Sequence, residues 1–528
     1  MQPSPIIPEF AMYEERLEDA EIEELRKRLS LVTRTGKDRF MNFTDVITEY
    51  VGTGEYKNRS QGFLSMCSKA AFLRGLYGYN QIIAKETDSV ICNGYAAAAY
   101  CRQSLDPRWV NNLKHHVNQA WQSKNYIAFA ELSGELADVL IELGYADYSK
   151  EAASESIDKV TKATSKNQDI RTQVQAALLR ARIVMAQIAM QAGAREEAIL
   201  RLDSAEDTAH LLDHHLCLTT IKYVRARILE ESHEFVRAMT LVDAALSDYE
   251  RMGYLQGVSN ARNLKGIILL QQGQLQDARD QFEELLLIQQ RLNNQIGLAR
   301  TLINVGEIDR DLGQLEQTET YNQRALEISQ EAEYMRGIAV SKINLGDIAV
   351  RSGRHEEAIR LYEEALELTE GSGMKDITKL VIFLLGDAYF INQEYEKSIN
   401  EYKRAQEFAR NFEYPIVEFT GLVSEIVAAW ENDDSGDKKM LHGVRDALGL
   451  KERWLKAGNS EPMRDVRRKV MQDSNVQSDL CILYDREKTF ECRADRQSLR
   501  KECSGNLYWM ASLCPYFEAF LDSLEKTL

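Results

Sequence analysis

Four glycines, Gly266, Gly306, Gly346 and Gly386, stand 40 residues apart three times running. A fixed period of this size implies stacked copies of one supersecondary unit. Stepping back by the same interval lands on Ala226 and Ala186, again small residues, so six units share an anchor. Twelve residues beyond the anchors lie Ala198, Ala238, Ala278, Thr318, Ala358 and Ser398. Seven beyond, four units carry Gly193, Gly273, Gly313 and Gly353. Larger residues recur sixteen beyond, including Phe282, Asn322, Tyr362 and Tyr402. Each unit reads as a helical hairpin. The anchor is small because two helices cross there, and the glycine at seven lets the chain leave helix A in a left-handed conformation. The residue at twelve lets helix B approach. The residue at sixteen is expected to fill the space between one hairpin and the next. Only 7 prolines occur in 528 residues, which suits a chain that is helical nearly throughout.

Helix B carries a small–aromatic–small sequence, as in Ala358, Tyr362 and Ala365. Helix A carries Leu-Gly, as in Leu345-Gly346 and Leu385-Gly386. The pattern resembles the tetratricopeptide repeat (TPR). The terminal proline usual in that repeat is absent, and the period is 40 rather than 34. That long form is similar to the arrays of the Leu-Gly-Asn-repeat adaptors and of bacterial peptide receptors. The expected fold is an all-α, right-handed α-solenoid of TPR-like hairpins with helical N- and C-terminal extensions.

Five segments follow along the chain. Residues 1–59 are an N-terminal leader and acidic helix. The first ten residues, with three prolines, read as flexible, and residues 11–31 as an exposed amphipathic helix. Residues 60–165 suggest four or five helices, with breaks near Thr87, Pro107 and Gly144. Ala137, Gly144 and Ser149 have the repeat's offsets, which marks a degenerate copy. Residues 166–430 form the array of about six repeats. Residues 431–439 are an acidic linker, and 440–528 a separate helical segment.

On helix A, positions −6, −2, +1 and +5 from the anchor fall on one stripe. In the 306 unit these are Arg300, Asn304, Glu307 and Asp311, and in the 346 unit Val340, Asn344, Asp347 and Arg351. In the 386 unit they are Leu380, Leu384, Asp387 and Ile391, and in the 266 unit Asn260, Leu264, Ile267 and Gln271. An amide offers donors and acceptors that suit the backbone of an extended peptide. The resemblance implies this task for Asn304 and Asn344, and contact with acidic ligands for Arg300. The other reading of the asparagines is that they bridge neighbouring helices. The concave groove, with Arg300, Asn304, Glu307, Asn344, Asp347, Arg351 and Asp387, is therefore the expected peptide-binding site.

A net charge of −17 opposes a nucleic-acid role. No apolar run approaches the ~20 residues of a membrane-spanning helix. No signal peptide is evident, so a cytoplasmic setting with reduced thiols is expected. Cys481, Cys492, Cys503 and Cys514 lie 11 residues apart without the paired spacing of a zinc site. His210 and His214 are read as i, i+4 on one helix, at the surface or an interface, with no third ligand in view. His115 and His116 point apart. No catalytic motif, metal site or cofactor is expected. The function expected is that of an adaptor binding a protein or peptide partner. The alternatives are a peptide-gated receptor that changes curvature, and an enzyme with a small C-terminal module. Oligomeric state is not legible.

Overall fold

The computed structural model describes residues 7–32, 39–104, 107–142, 145–165, 170–372, 374–411 and 425. The linker at 431–439, the 440–528 segment with its four cysteines, and Gly144 lie outside the described residues. Among the described residues the regular structure is helical, with no strand. A 3-10 segment, Pro8–Arg16, precedes α1 (Asp19–Val32), α2 (Arg39–Thr53), α3 (Gln61–Leu73) and α4 (Tyr77–Lys85). Then come α5 (Val90–Ser104), α6 (Pro107–Gln122), α7 (Tyr126–Glu142) and α8 (Ala146–Thr164). The repeats run through α9 (Arg171–Gln191), α10 (Arg195–Leu211), α11 (His215–Glu231), α12 (Phe235–Met252), α13 (Leu255–Gln271) and α14 (Leu275–Leu292). They continue in α15 (Gln295–Asp311), α16 (Leu315–Glu331), α17 (Met335–Arg351), α18 (His355–Gly371), α19 (Lys375–Ile391) and α20 (Tyr395–Asn411). No described helix is long and apolar enough to cross a membrane.

The period is built into the helices themselves. Helix A begins at His215, Leu255, Gln295, Met335 and Lys375, and helix B at Arg195, Phe235, Leu275, Leu315, His355 and Tyr395. Turns set this spacing. Gly193, Gly273, Gly313 and Gly353 have φ between 73° and 79°, and His233 and Gln393 take the same left-handed place where glycine is missing. A second left-handed position, unforeseen in the sequence, ends helix B at Asp213, Gly253, Asn293 and Glu333, again 40 residues apart. Within each unit these short turns force consecutive helices to run antiparallel and pack as pairs.

The residue sixteen beyond the anchor packs on the anchor of its own hairpin where it is a ring, whereas Asn322 bonds Asn344 of the next hairpin. A Cβ on Gly266 would lie 2.7 Å from the Phe282 ring, one on Gly346 2.5 Å from Tyr362, and one on Gly386 2.6 Å from Tyr402. The small residue at twelve allows close approach, and twice it bonds the anchor itself. Ser398 Oγ donates to Gly386 O at 2.9 Å, and Ser149 Oγ to Ala137 O at 2.7 Å. The second bond gives α7–α8 the repeat's geometry.

The chain divides into two compact units, Met1–Leu312 and a second beginning at Gly313. In the first unit α3, α5, α7, α9, α11 and α13 neighbour one another in an inner layer. The region read as four or five helices holds six, α3 to α8, because Gly75 (φ 68°) and Lys124 (φ 58°) add turns. The N-terminal residues from Ile7 onward are core rather than leader. Ile7, Phe10 and Tyr13 are buried, with Phe10 against Phe43 at 5.1 Å between ring centroids. Nor is α1 an exposed helix: Leu25 and Leu29 are buried. Its Glu21 accepts bonds from Ser60 N and Ser60 Oγ, while Ser60 caps α3. The second unit has its own core, from Ile343 to Ala405.

Candidate functional site

The inner layer of the first unit encloses a cavity of about 80 Å³. Part of its lining follows the stripe rule, applied two and three repeats earlier than the sequence reading took it. Counted from Ala137, positions −6, −2, +1 and +5 are Glu131, Glu135, Asp138 and Glu142, four acids on α7. The first three line the cavity. Counted from Ala186, positions −6 and +1 are Arg180 and Gln187, which line it from α9. Asn260 of the 266 unit also lines it.

These acids are held in an ionic network. Arg102, 2 % exposed on α5, pairs with Asp138 at 2.6 Å and with Glu142, and more distantly with Glu135 at 3.5 Å. Arg180 pairs with Glu135, donates to Asp138 at 3.0 Å, and reaches the Tyr254 hydroxyl at 3.0 Å. Glu131 pairs with Lys69 and accepts from the hydroxyls of Tyr95 (2.5 Å) and Tyr13 (2.9 Å). Lys69 in turn donates to the carbonyl of Glu9 at 2.7 Å. The N-terminal 3-10 segment is thus bound against the inner face, its Glu9 carboxylate accepting from Leu216 N at the start of α11.

Burial pushes the carboxyls of Glu9, Glu135 and Glu142 above the usual range, against the pull of Lys69, Arg180 and Arg102. Asp138 goes the other way, because both arginines hold its charge more strongly than burial opposes it. His214 lines the same cavity. It is not on one helix with His210, since α10 ends at Leu211 and His214 caps α11 by accepting from Cys217 N. Burial, with Lys69 adding repulsion, pushes His214 down to about 3. Among the described residues, no group of three or more His, Cys, Asp or Glu is placed to hold a metal ion.

The residues expected to line the groove divide between the units. In the first, Arg300 is exposed, and Asn304 and Glu307 are partly exposed on α15. Arg300 lies near enough to Glu142 to favour its charged form. In the second unit, Arg351 is exposed, and Asp347 and Asp387 are partly exposed. Each of these aspartates accepts a bond at 2.5 Å from the aromatic hydroxyl of its own hairpin, Tyr362 to Asp347 and Tyr402 to Asp387. Burial, helped by repulsion from Asp347, pushes Asp387 up to about 7. Asn344 differs from the others: it is buried, and its Nδ2 donates to Asn322 Oδ1 at 3.0 Å. Asn322 stands where neighbouring hairpins have a ring, so Asn344 joins α17 to α16. Leu380 beside them is exposed, and Val340 and Leu384 are partly buried.

Paired helices, mostly of 17 or 18 residues and repeating every 40, small where they cross and carrying polar side chains on one face of helix A, define a helical-repeat protein. The tetratricopeptide repeat model matches residues 257–331, 297–371 and 337–411, so this stretch is similar to that repeat. No curated protein matches the sequence. Among solved structures, the chain is similar to a signal transduction ATPase with numerous domains that carries a tetratricopeptide-repeat sensor, from Pyrococcus horikoshii. Identity there is 15%, covering 87% of this chain and 74% of that one, at a TM-score of 0.49. The apo quorum sensor NprR of B. thuringiensis is 15% identical, covering 67% of this chain and 96% of that one, at 0.48. A Rap protein complexed with Competence and Sporulation Factor is 15% identical, covering 75% and 99%, at 0.45. These likenesses are distant and concern helical-repeat architecture only.

Proposed function

We propose that the chain is a protein-interaction module, not an enzyme, and that it takes a segment of a partner polypeptide on the helix A face of its repeats. One observation carries this reading. Of the seven polar residues expected to line the groove, Arg300, Asn304, Glu307, Asp347, Arg351 and Asp387 keep contact with solvent, and Asn344 is buried. Within each unit the repeats supply this face at regular intervals, which suits an extended segment. Asparagine and arginine on α15 offer donors to a backbone or an acid. Asp347 and Asp387, beside exposed Leu380, offer acceptors and apolar area to a basic, amphipathic segment.

The test is selection from a random peptide display library on the purified chain. Selected peptides are then rebound to Arg300→Ala/Asn304→Ala and to Asp347→Ala/Asp387→Ala. Lost capture in at least one pair, with helicity preserved and the variant still folded at the binding temperature, supports the reading. Peptides that bind both variants as well as the wild type would refute it. If a selected peptide also changes the radius of gyration in solution scattering, the chain is a peptide-gated receptor rather than a passive adaptor.

A further inference from the structure

The cavity of the first unit is not an ordinary packing defect. Defects in a core are apolar, whereas Lys69, Glu131, Glu135, Asp138 and Arg180 put five charged side chains among the apolar residues that line this one. The network around it counts five carboxylates (Glu9, Glu131, Glu135, Asp138, Glu142) against three directly paired cations, Lys69, Arg102 and Arg180, with the exposed Arg300 near Glu142 as a fourth. A low-dielectric site where carboxylates still outnumber cations is under-compensated. Two buried acceptors at this place have no hydrogen-bond partner among the described residues: Gln187 Oε1, on a residue 8 % exposed that lines the cavity, and Glu9 Oε2, on a residue 1 % exposed. Glu9 sits among the lining residues Lys69, His214 and Leu216. An unpaired buried acceptor costs stability, so such atoms mark a place where donors belong. At about 80 Å³ the space suits a group of a few heavy atoms, not a folded segment.

We propose that this cavity binds a single donor-rich cationic group, an alkylammonium or a guanidinium, brought by a free amine or by a basic residue of a partner peptide. The charge offsets the excess of carboxylates, and its N–H groups meet Gln187 Oε1 and the inner-face acids. The Lys69 and Arg180 ion pairs stay in place, because the ligand adds to the network rather than replacing a member. An anion would meet the opposite field. This deepens the interaction reading by naming the chemistry the inner face takes, and it can fail while that reading stands.

The experiment is thermal melting and calorimetric titration of the full chain with butylammonium and methylguanidinium. Tetramethylammonium serves as a cation without N–H donors, and acetate as an anion. Two terminally blocked alanine peptides, one with a central arginine, separate the sources. Butylammonium or methylguanidinium, or the arginine peptide, should raise the melting temperature saturably while both controls do not. A free cation acting alone identifies a small-amine site, and the arginine peptide acting alone identifies a peptide subsite. Gln187→Met, which removes the orphan acceptor at similar volume, should keep or raise the ligand-free melting temperature and weaken binding about tenfold or more. Gln187→Glu should tighten it. Equal effects from tetramethylammonium, a larger effect from acetate, or affinity that neither substitution moves would overturn the proposal, as would no saturable shift at all. If peptides selected on the helix A face still bind in that last case, only the cavity inference falls.

Discussion

At Gly346 the Tyr362 ring occupies the volume that a Cβ would need, at 2.5 Å. Two effects oppose each other in Gly346→Ala. Helix propensity gains up to about 1 kcal/mol, while overpacking a well-filled crossing costs about 1–3 kcal/mol. The ring is pinned by its bond to Asp347 and cannot retreat cheaply, so the substitution should destabilise by about 1–2 kcal/mol. A denaturant midpoint equal to or above that of the wild type would show that the ring moves. The same logic separates the two asparagines. Asn344→Ala leaves Asn322 Oδ1 buried without its donor and should cost about 1–3 kcal/mol. Asn304→Ala, at a partly exposed position, should stay within about 0.5 kcal/mol. Asp387 adds a pH dependence. Its folded value of about 7 lies above the ordinary 3.8, so the folded state holds the proton more tightly, and stability falls as pH rises from about 4 to 7. Asp387→Asn should therefore gain over the wild type at pH 8, by about 2 kcal/mol once solvent contact is allowed for. The gap should close near pH 4, as melts across that range would show.

One helix of the inner layer begins on a buried histidine, and its start depends on pH in the other direction. His214 accepts from Cys217 N as the cap of α11, a task that needs the neutral ring. Its folded value of about 3 lies below the ordinary 6.5, so the unfolded chain takes the proton first, and stability falls as pH drops from about 6.5 toward 3. Asn caps without titrating. His214→Asn should lose less stability than the wild type between pH 7 and 4.5, by about 2 kcal/mol in paired melts; parallel curves would sink the assignment. The helices from α9 onward were legible because each hairpin restates the same crossing and turn. The role of His214 was not, because a left-handed Asp213 breaks what looks like one helix. The cavity was half legible. The rule that selected Asn304 also selects Glu131, Glu135, Asp138 and Gln187 from the anchors Ala137 and Ala186. What no local pattern announces is that Glu9 meets Leu216, 207 residues along the chain. Burial of the N-terminal segment is a tertiary fact, and its three prolines point the other way.

Across the molecule, each unit carries its own core, and a repeat array stores its stability in contacts between neighbours. A substitution should therefore loosen the unit that holds it. Arg102 is the sharpest probe in the first unit, since it is 2 % exposed and faces three carboxylates. Removing one member of a buried ionic cluster costs about 3–5 kcal/mol, because the remaining charges lose their counter-ion in a low dielectric. Arg102→Met should show that loss at pH 7. The loss should shrink toward pH 5, because Glu135 and Glu142 already have raised values and will take protons once the guanidinium is gone. Hydrogen exchange gives the matching spatial readout. Arg102→Met should speed exchange in α5, α7 and α9 and leave α17 to α20 at wild-type rates, while Gly346→Ala should do the reverse. Equal acceleration of both units by either substitution would mean that the chain opens as one cooperative body, and stability would then have to be assigned to the array as a whole.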